Sequence, residues 1–261
     1  EILAAAGISG EDAEKVLAHC RCIENPAYAR ETIPERMVYH VGLVEKFFQS
    51  RAVQVGLEEQ LGYSEITFCG HDRPHLFADF AGVLLSEGLN ILGARIFSRR
   101  DGVAIDLFQA TIADNIQVDM ARRVENVRQK INEIERRTTQ VADLVSERAR
   151  RYRLRPPRPS LLPPRIHFDN EISGKCTVIE VDAADRTGLL YDLATALSDL
   201  GLDVRAAKVS TLVDRAHDTF YVVEPGGSKI VDPAIHALGE VAKRIRNAHD
   251  RPLAVADGGE R

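Results

Sequence analysis

The sequence predicts an α+β protein: two ferredoxin-like βαββαβ domains preceded by a helical segment. Three observations carry that prediction. Apolar residues keep a helical period up to about residue 50, then alternate. The order of strands and helices that begins near residue 60 returns from residue 176. The two copies also agree residue by residue at a nearly fixed offset, the mark of an internal repeat.

Residues 1–58 read as the helical segment, either a linker or the remnant of a preceding domain. Met37, Val41, Val44 and Phe48 recur at helical spacing, and Thr32-Ile33-Pro34-Glu35 supplies a capping-box start with proline in the first turn. The first domain is expected over 59–142. "YSEITFC" reads as a strand, and "PHLFADFAGVLLSEG" as a helix with Leu76, Phe77, Phe80 and Leu84 on one face. "LNILGARIFS" and "GVAIDLFQATI" are two more strands, and the Asp101-Gly102 between them is the strongest hairpin signal in the chain. A helix carrying Val124, Val127, Ile131 and Ile134 follows.

Residues 143–173 are basic and proline-rich, which predicts an extended, solvated linker with a short edge strand near Ile166–Phe168. The second domain is expected over 174–261. It runs from the strand "CTVIEVDA" and the helix "TGLLYDLATALSDLG" to the strands "LDVRAAKVSTL" and "AHDTFYVVE". Its last helix, "DPAIHALGEVAKRI", has Asp232 as N-cap and Pro233 at the first helical position. In the repeat, Asp72-Arg73 aligns with Asp185-Arg186, Leu76 with Leu189, Asp79 with Asp192, and Gly88-Leu89 with Gly201-Leu202. Past the hairpin, Asp106 and Phe108 align with Asp218 and Phe220.

Composition excludes several classes. A net charge of −5 with a pI near 5.9 lacks the basic field of a nucleic-acid binder. No apolar run approaches the roughly 18 residues of a membrane span. Four cysteines in 261 residues make no disulfide framework, so a reducing cytoplasm is expected.

The Asp-Arg-x-x-Leu turn, then a helix, then Gly-Leu-Asn/Asp, resembles the ACT domain, a regulatory module that binds amino acids. "ARIFSRRDGVAIDLF", "RIHFDN" and "RAHDTFYVVE", in that order, are similar to the C-terminal region of the bifunctional uridylyltransferase/uridylyl-removing enzymes. "ETIPERMVYHVGLVEKF" is similar to the helical stretch before their first ACT domain. These enzymes modify the PII nitrogen-signalling protein. The resemblance implies glutamine as effector, PII as partner through the parent enzyme, and an ACT-mediated homodimer among the assemblies. It implies no cofactor here, magnesium belonging to the catalytic domains. No catalytic residue is expected in this chain: the clustered aspartates of a nucleotidyltransferase are missing, and His71-Asp72 sits at a strand end rather than on hydrolase helices.

The expected site is the turn before the first helix of each copy, whose free amides and positive dipole end suit a carboxylate. The second copy contributes Asp185, Arg186, Gly188, Leu189, Leu190, Asp203 and Val204. The first contributes Asp72, Arg73, His75, Leu76, Asn90 and Ile91. Asn90 and Asp203, at the start of the second strand of each copy, are expected opposite the turns, Asn90 to bridge carboxylate and ammonium and Asp203 to accept from an ammonium. His75 stands where the family keeps glycine, so the second cradle is expected to be the better one. Asp72 and Asp185 are expected as helix caps, and Asp106 and Asp218 on a solvent-facing strand face. His40 is expected at the surface or in a satisfied polar contact. Zinc on Cys69, His71 and His75 is set against a simple strand end and turn, which lacks a fourth ligand. His19-Cys20-Arg21-Cys22 reads likewise as a helix end. The other class of function is a free-standing tandem ACT adaptor. Glu1, in place of an initiator methionine, favours a piece of a larger enzyme.

Overall fold

The computed structural model describes residues 2–114, 117–151, 163–212, 215–230 and 243. The expected helix from Asp232 lies outside the described residues, apart from Lys243. Helices α1 (Ile2–Ala5), α2 (Gly10–Cys22), α3 (Ala27–Glu31) and α4 (Pro34–Ser50) come first. The first module is β1 (Gln54–Gln60), β2 (Tyr63–His71), α5 (Leu76–Ser86), β3 (Leu89–Ser98), β4 (Val103–Ile112) and α6 (Met120–Glu135). Helix α7 (Val141–Arg151) leads to the second module. That module is β5 (Arg165–Asp169), β6 (Thr177–Ala184), α8 (Leu189–Asp199), β7 (Asp203–Lys208), β8 (Thr211–Leu212) and β9 (Arg215–Val223).

All strands join one antiparallel sheet, ordered β1-β2-β4-β3-β7-β9-β6-β5, with β8 paired onto β9. The architecture is α+β and ferredoxin-like, with one change of connectivity. Beside the first strand of each repeat, at the sheet edge, lies the strand that precedes it: β1 pairs β2 and β5 pairs β6. Each described module therefore reads strand–strand–helix–strand–strand, with α6 closing the first, rather than βαββαβ. The expected helical segment is corrected at its end, because Val55 and Leu57 alternate in β1. The edge strand expected near Ile166–Phe168 is present as β5, so the second module begins before residue 174.

The two modules share the sheet through β3 and β7, where Gly93, Ala94 and Arg95 pair Lys208, Ala207 and Ala206. On one face α5 packs against α7 and α8. Gly82 permits that approach, since a Cβ there would lie 2.8 Å from the Tyr191 ring. Beneath α5, Phe68 stacks on Phe80 with centroids 4.1 Å apart and Phe77 stacks on Phe108 at 5.5 Å. Each such fully buried ring contributes roughly 1.5–3 kcal/mol.

Helices α2–α4 cover the opposite face of the first module. Val16, Met37, Val44 and Phe47 pack there against Cys69, Phe97, Ile105 and Leu107. With both faces covered, β2 and β4 are buried almost throughout, which hides the alternation of a one-sided sheet. This corrects the expectation for Asp106 and Asp218. Both are buried on the α5/α8 face, at 1% and 2% exposure, in line with Ala104 and Phe108 or Ala216 and Phe220.

Local expectations are corrected too. Helix α4 has Ile33, not Thr32, at its N-cap, without a side-chain bond. The linker from residue 143 is helical to Arg151, because its prolines begin only at Pro156 and Val141, Leu144, Val145 and Ala149 keep helical spacing. Arg148 is not solvated: with Arg123 it holds the Asp114 carboxylate, Arg123 at 2.6 Å. No helix among the described residues is long and apolar enough to cross a membrane.

Candidate functional site

The repeated turns have the same backbone. His75 (φ 64°, ψ 0°) and Gly188 (φ 83°, ψ 1°) both sit in the left-handed region and occupy the N-cap positions of α5 and α8, without side-chain caps. Asp72 and Asp185 are therefore not the caps, lying three residues earlier; the Asp72 amide donates to the Gly102 carbonyl at 2.9 Å. Histidine tolerates this conformation at a cost of about 1–2 kcal/mol, so His75 keeps the turn that glycine makes in the second copy.

Arg73 and Arg186 have matching roles. Arg73 donates to Asp79 at 2.7 Å and to Glu135 at 3.3 Å, and Arg186 donates to Asp192 at 2.5 Å. Each arginine thus ties its turn to the first turn of the following helix. Leu76 and Leu189 are core residues, Leu190 is half-buried, and Val204 and Ile91 are buried.

A cavity of about 340 Å³ opens at the first turn, within the range of small-molecule sites of roughly 300–1,000 Å³. Asp72, His75 and Leu76 line one side, and Ile96, Ala104 and Asp106 form the sheet floor. Gly201, Leu202, Asp203, Val204 and Pro225 of the second module close it. His75 Nε2 lies 3.8 Å from Asp199 at the end of α8. The site is therefore a seam between modules, and the antiparallel β3–β7 pairing explains why. It places the start of β7, with Asp203, beside the end of β3 and the first-module turn. The start of β3, with exposed Asn90, runs instead toward the Ser210 end of β7, as the Val209-to-Leu92 hydrogen bond shows. Asn90 and Ile91 thus stand apart from the first turn, and Asp203 faces a turn of the other copy.

Three carboxylates give the cavity its electrostatics. Burial, then Asp72 and Asp203, holds the Asp106 carboxyl well above the usual range. Asp106 Oδ1 is a buried acceptor without a hydrogen-bond partner among the described residues. Burial, then Asp72 and Glu24, also raises Asp203, against the lowering effect of Arg205. Arg205 holds Asp203 at 2.8 Å and Ser98 Oγ at 2.9 Å. In the second copy Asp218 is pushed up to about 7 by burial, with Asp185 adding to the rise.

The zinc trio does not assemble. Cys69 is buried under α4, His71 sets its ring edge against Phe47 at 4.9 Å, and His75 turns to α8. Among the described residues no group of three His, Cys, Asp or Glu side chains could hold a metal ion.

Residues 165–257, covering β5 to β9 and beyond, match the family model described as "ACR9-like, ACT-like domain". The bifunctional uridylyltransferase/uridylyl-removing enzyme of Bradyrhizobium diazoefficiens is 33% identical over 80% of this chain and 22% of its own length. The enzyme of the same description from Rhodopseudomonas palustris is 31% identical over 90% of this chain and 25% of its own. The chain is homologous to part of the bifunctional uridylyltransferase/uridylyl-removing enzymes. It spans about a quarter of the length of these curated relatives. Among solved structures, aspartate kinase from Synechocystis overlaps 63% of this chain and 25% of its own, at 18% identity and a TM-score of 0.34.

Within this uridylyltransferase-homologous chain, sequence reading missed the lining from Ile96, Ala104 and Pro225 and the position of Asp106. The available signal was the repeat itself, which keeps an aspartate at 106 and 218 in otherwise apolar strands. It also missed a polar chain behind the sheet. Arg99 donates to His19 Nδ1 at 2.6 Å, which leaves His19 Nε2–H to donate to Tyr28 Oη at 2.9 Å and the Tyr28 hydroxyl to donate to His40 Nδ1 at 2.8 Å. Of the two expectations for His40, the surface position is corrected, since it is fully buried, and the polar contact is met at Nδ1, with Nε2 unpartnered among the described residues. Burial holds His19 at about 4 and His40 at about 3, so both are neutral near pH 7. The β3–β4 turn that carries Arg99 also bonds the end of α2: Arg100 N–H donates to the Cys22 carbonyl, and Glu24 N–H to the Ser98 carbonyl.

Proposed function

We propose that this chain is the amino-acid-sensing regulatory region of a PII uridylyltransferase/uridylyl-removing enzyme, with glutamine as its effector. The observation that carries the reading is the seam cavity, built jointly by the first-module turn and the start of β7 in the second. The start of α5 offers first-turn amides to an α-carboxylate, and the aspartates offer acceptors to an α-ammonium. Because both modules contribute walls, occupancy favours one placement of the modules over another, in proportion to the difference in affinity. The attached catalytic parts would respond to that placement, and PII is the protein they would modify. Homology to enzymes of that description supports the assignment.

The test is calorimetry and thermal unfolding of the folded chain with glutamine. At ten times Kd a ligand adds about 1.4 kcal/mol to the folded state, which raises Tm measurably. Absence of both heat and stabilisation at millimolar glutamine would defeat the reading.

A further inference from the structure

We propose that Asp106 is the specificity-determining residue of the seam cavity and selects ligands that carry a primary ammonium group. The proposal rests on the amino-acid reading above and goes further, to one buried side chain on the cavity floor. Asp106 is 1% exposed, lines the cavity, and keeps one oxygen without a hydrogen-bond partner among the described residues. An unsatisfied buried acceptor is destabilising unless something supplies a donor. The groups that share the cavity with it say which donor. Asp72 from the β2–α5 turn and Asp203 from β7 both add negative charge. Of the nearby cations, Arg73 is held by Asp79 and Glu135, and Arg205 by Asp203 and Ser98. His75 stands beside Asp199. A neutral hydroxyl or amide could donate to Asp106, but only a cation also relieves the repulsion among three carboxylates. An ammonium, with three N–H donors and no acceptor, does both. The three aspartates are not arranged to hold a metal ion.

Selection follows from the asymmetry of buried polar groups. A ligand without the ammonium leaves Asp106 desolvated and unpaired, so it is rejected more strongly than a missing apolar contact would explain.

Isothermal titration with the intact chain tests this, using glutamine, its deaminated analogue 4-carbamoylbutanoate, and its decarboxylated analogue 4-aminobutanamide. The expected result is binding of glutamine and, more weakly, of the amine, with the deaminated acid at least about tenfold weaker than glutamine. Asp106→Asn, a neutral isostere that keeps the strand, should weaken both amino compounds at least about tenfold and leave the acid unchanged. Asp203→Asn should weaken them less. Equal binding of glutamine and the deaminated acid, or an Asp106→Asn chain that folds and binds glutamine like wild type, overturns the proposal and leaves amino-acid sensing standing. Binding of the amine alone upholds the ammonium selection and removes the amino-acid reading. No binding by any of the three overturns both.

Discussion

Asp218 shows how a single buried carboxyl sets the pH response of the second module. Its folded pKa lies near 7 against 3.8 for the unfolded chain, so between those values the folded state holds more protons than the unfolded one. Stability from this group is complete below about pH 4 and is lost as pH rises toward 7, by roughly 4 kcal/mol in total. Asp218→Asn should therefore raise Tm at pH 8 and leave it nearly unchanged at pH 4. Equal shifts at both values, measured by circular dichroism, would contradict this account. Asp106 and Asp218 also mark how far residues could be read from sequence alone. Their strands were legible, but the facing of Asp106 was not, because the helices that cover the back of β2 and β4 come from a distant part of the chain, and Asp218 lies on the α8 face of a strand whose burial alternates. His75 was legible as the odd member of the repeat, whereas its adoption of glycine's backbone conformation was not.

At the scale of elements, Gly82 decides how closely α5 approaches α7 and α8. Helix propensity alone favours alanine over glycine by about 1 kcal/mol at an interior position. Here the added methyl would meet Val141 and Tyr191, and overpacking of this kind costs about 1–3 kcal/mol. Gly82→Ala should lower stability in urea unfolding, and a higher midpoint would show that the helices part freely. The strands β2 to β4 and helices α5 and α6 followed from periodicity and the Asp-Gly turn. Of the two edge strands, β5 followed from the short apolar stretch around Ile166–Phe168, but β1 did not, because the repeat was anchored on its Asp-Arg turn and the strands before it share little sequence. Helix α7 was masked by the prolines that follow it. The seam pairing of Asp203 with the first turn depends on β3–β7 register, which no local pattern encodes.

In the whole molecule, the N-terminal helices serve as the second cover of the first module. Phe97, Ile105 and Leu107 are at most 3% exposed only because α2–α4 lie over them. A chain beginning at residue 52 should expose this face, lose several kcal/mol of stability, and bind a hydrophobic dye. A monodisperse, dye-silent truncation would show that the helices are an accessory rather than part of the fold. The internal repeat made the two-module plan legible from sequence. Fusion of both modules into one continuous sheet was not, since either edge of each unit could have been paired, capped or left bare.

The short turn between β3 and β4 touches three parts of the molecule at once. Its Gly102 carbonyl holds the Asp72 amide at the cavity rim, and its Ser98 hydroxyl receives Arg205 from the second module. The Ser98 carbonyl and the Arg100 amide grip the end of α2. The rim, the second module and the helical cover are thus joined by direct hydrogen bonds through one short segment. The turn is a joint with three arms, one to the cavity rim, one to the second module and one to the N-terminal helices.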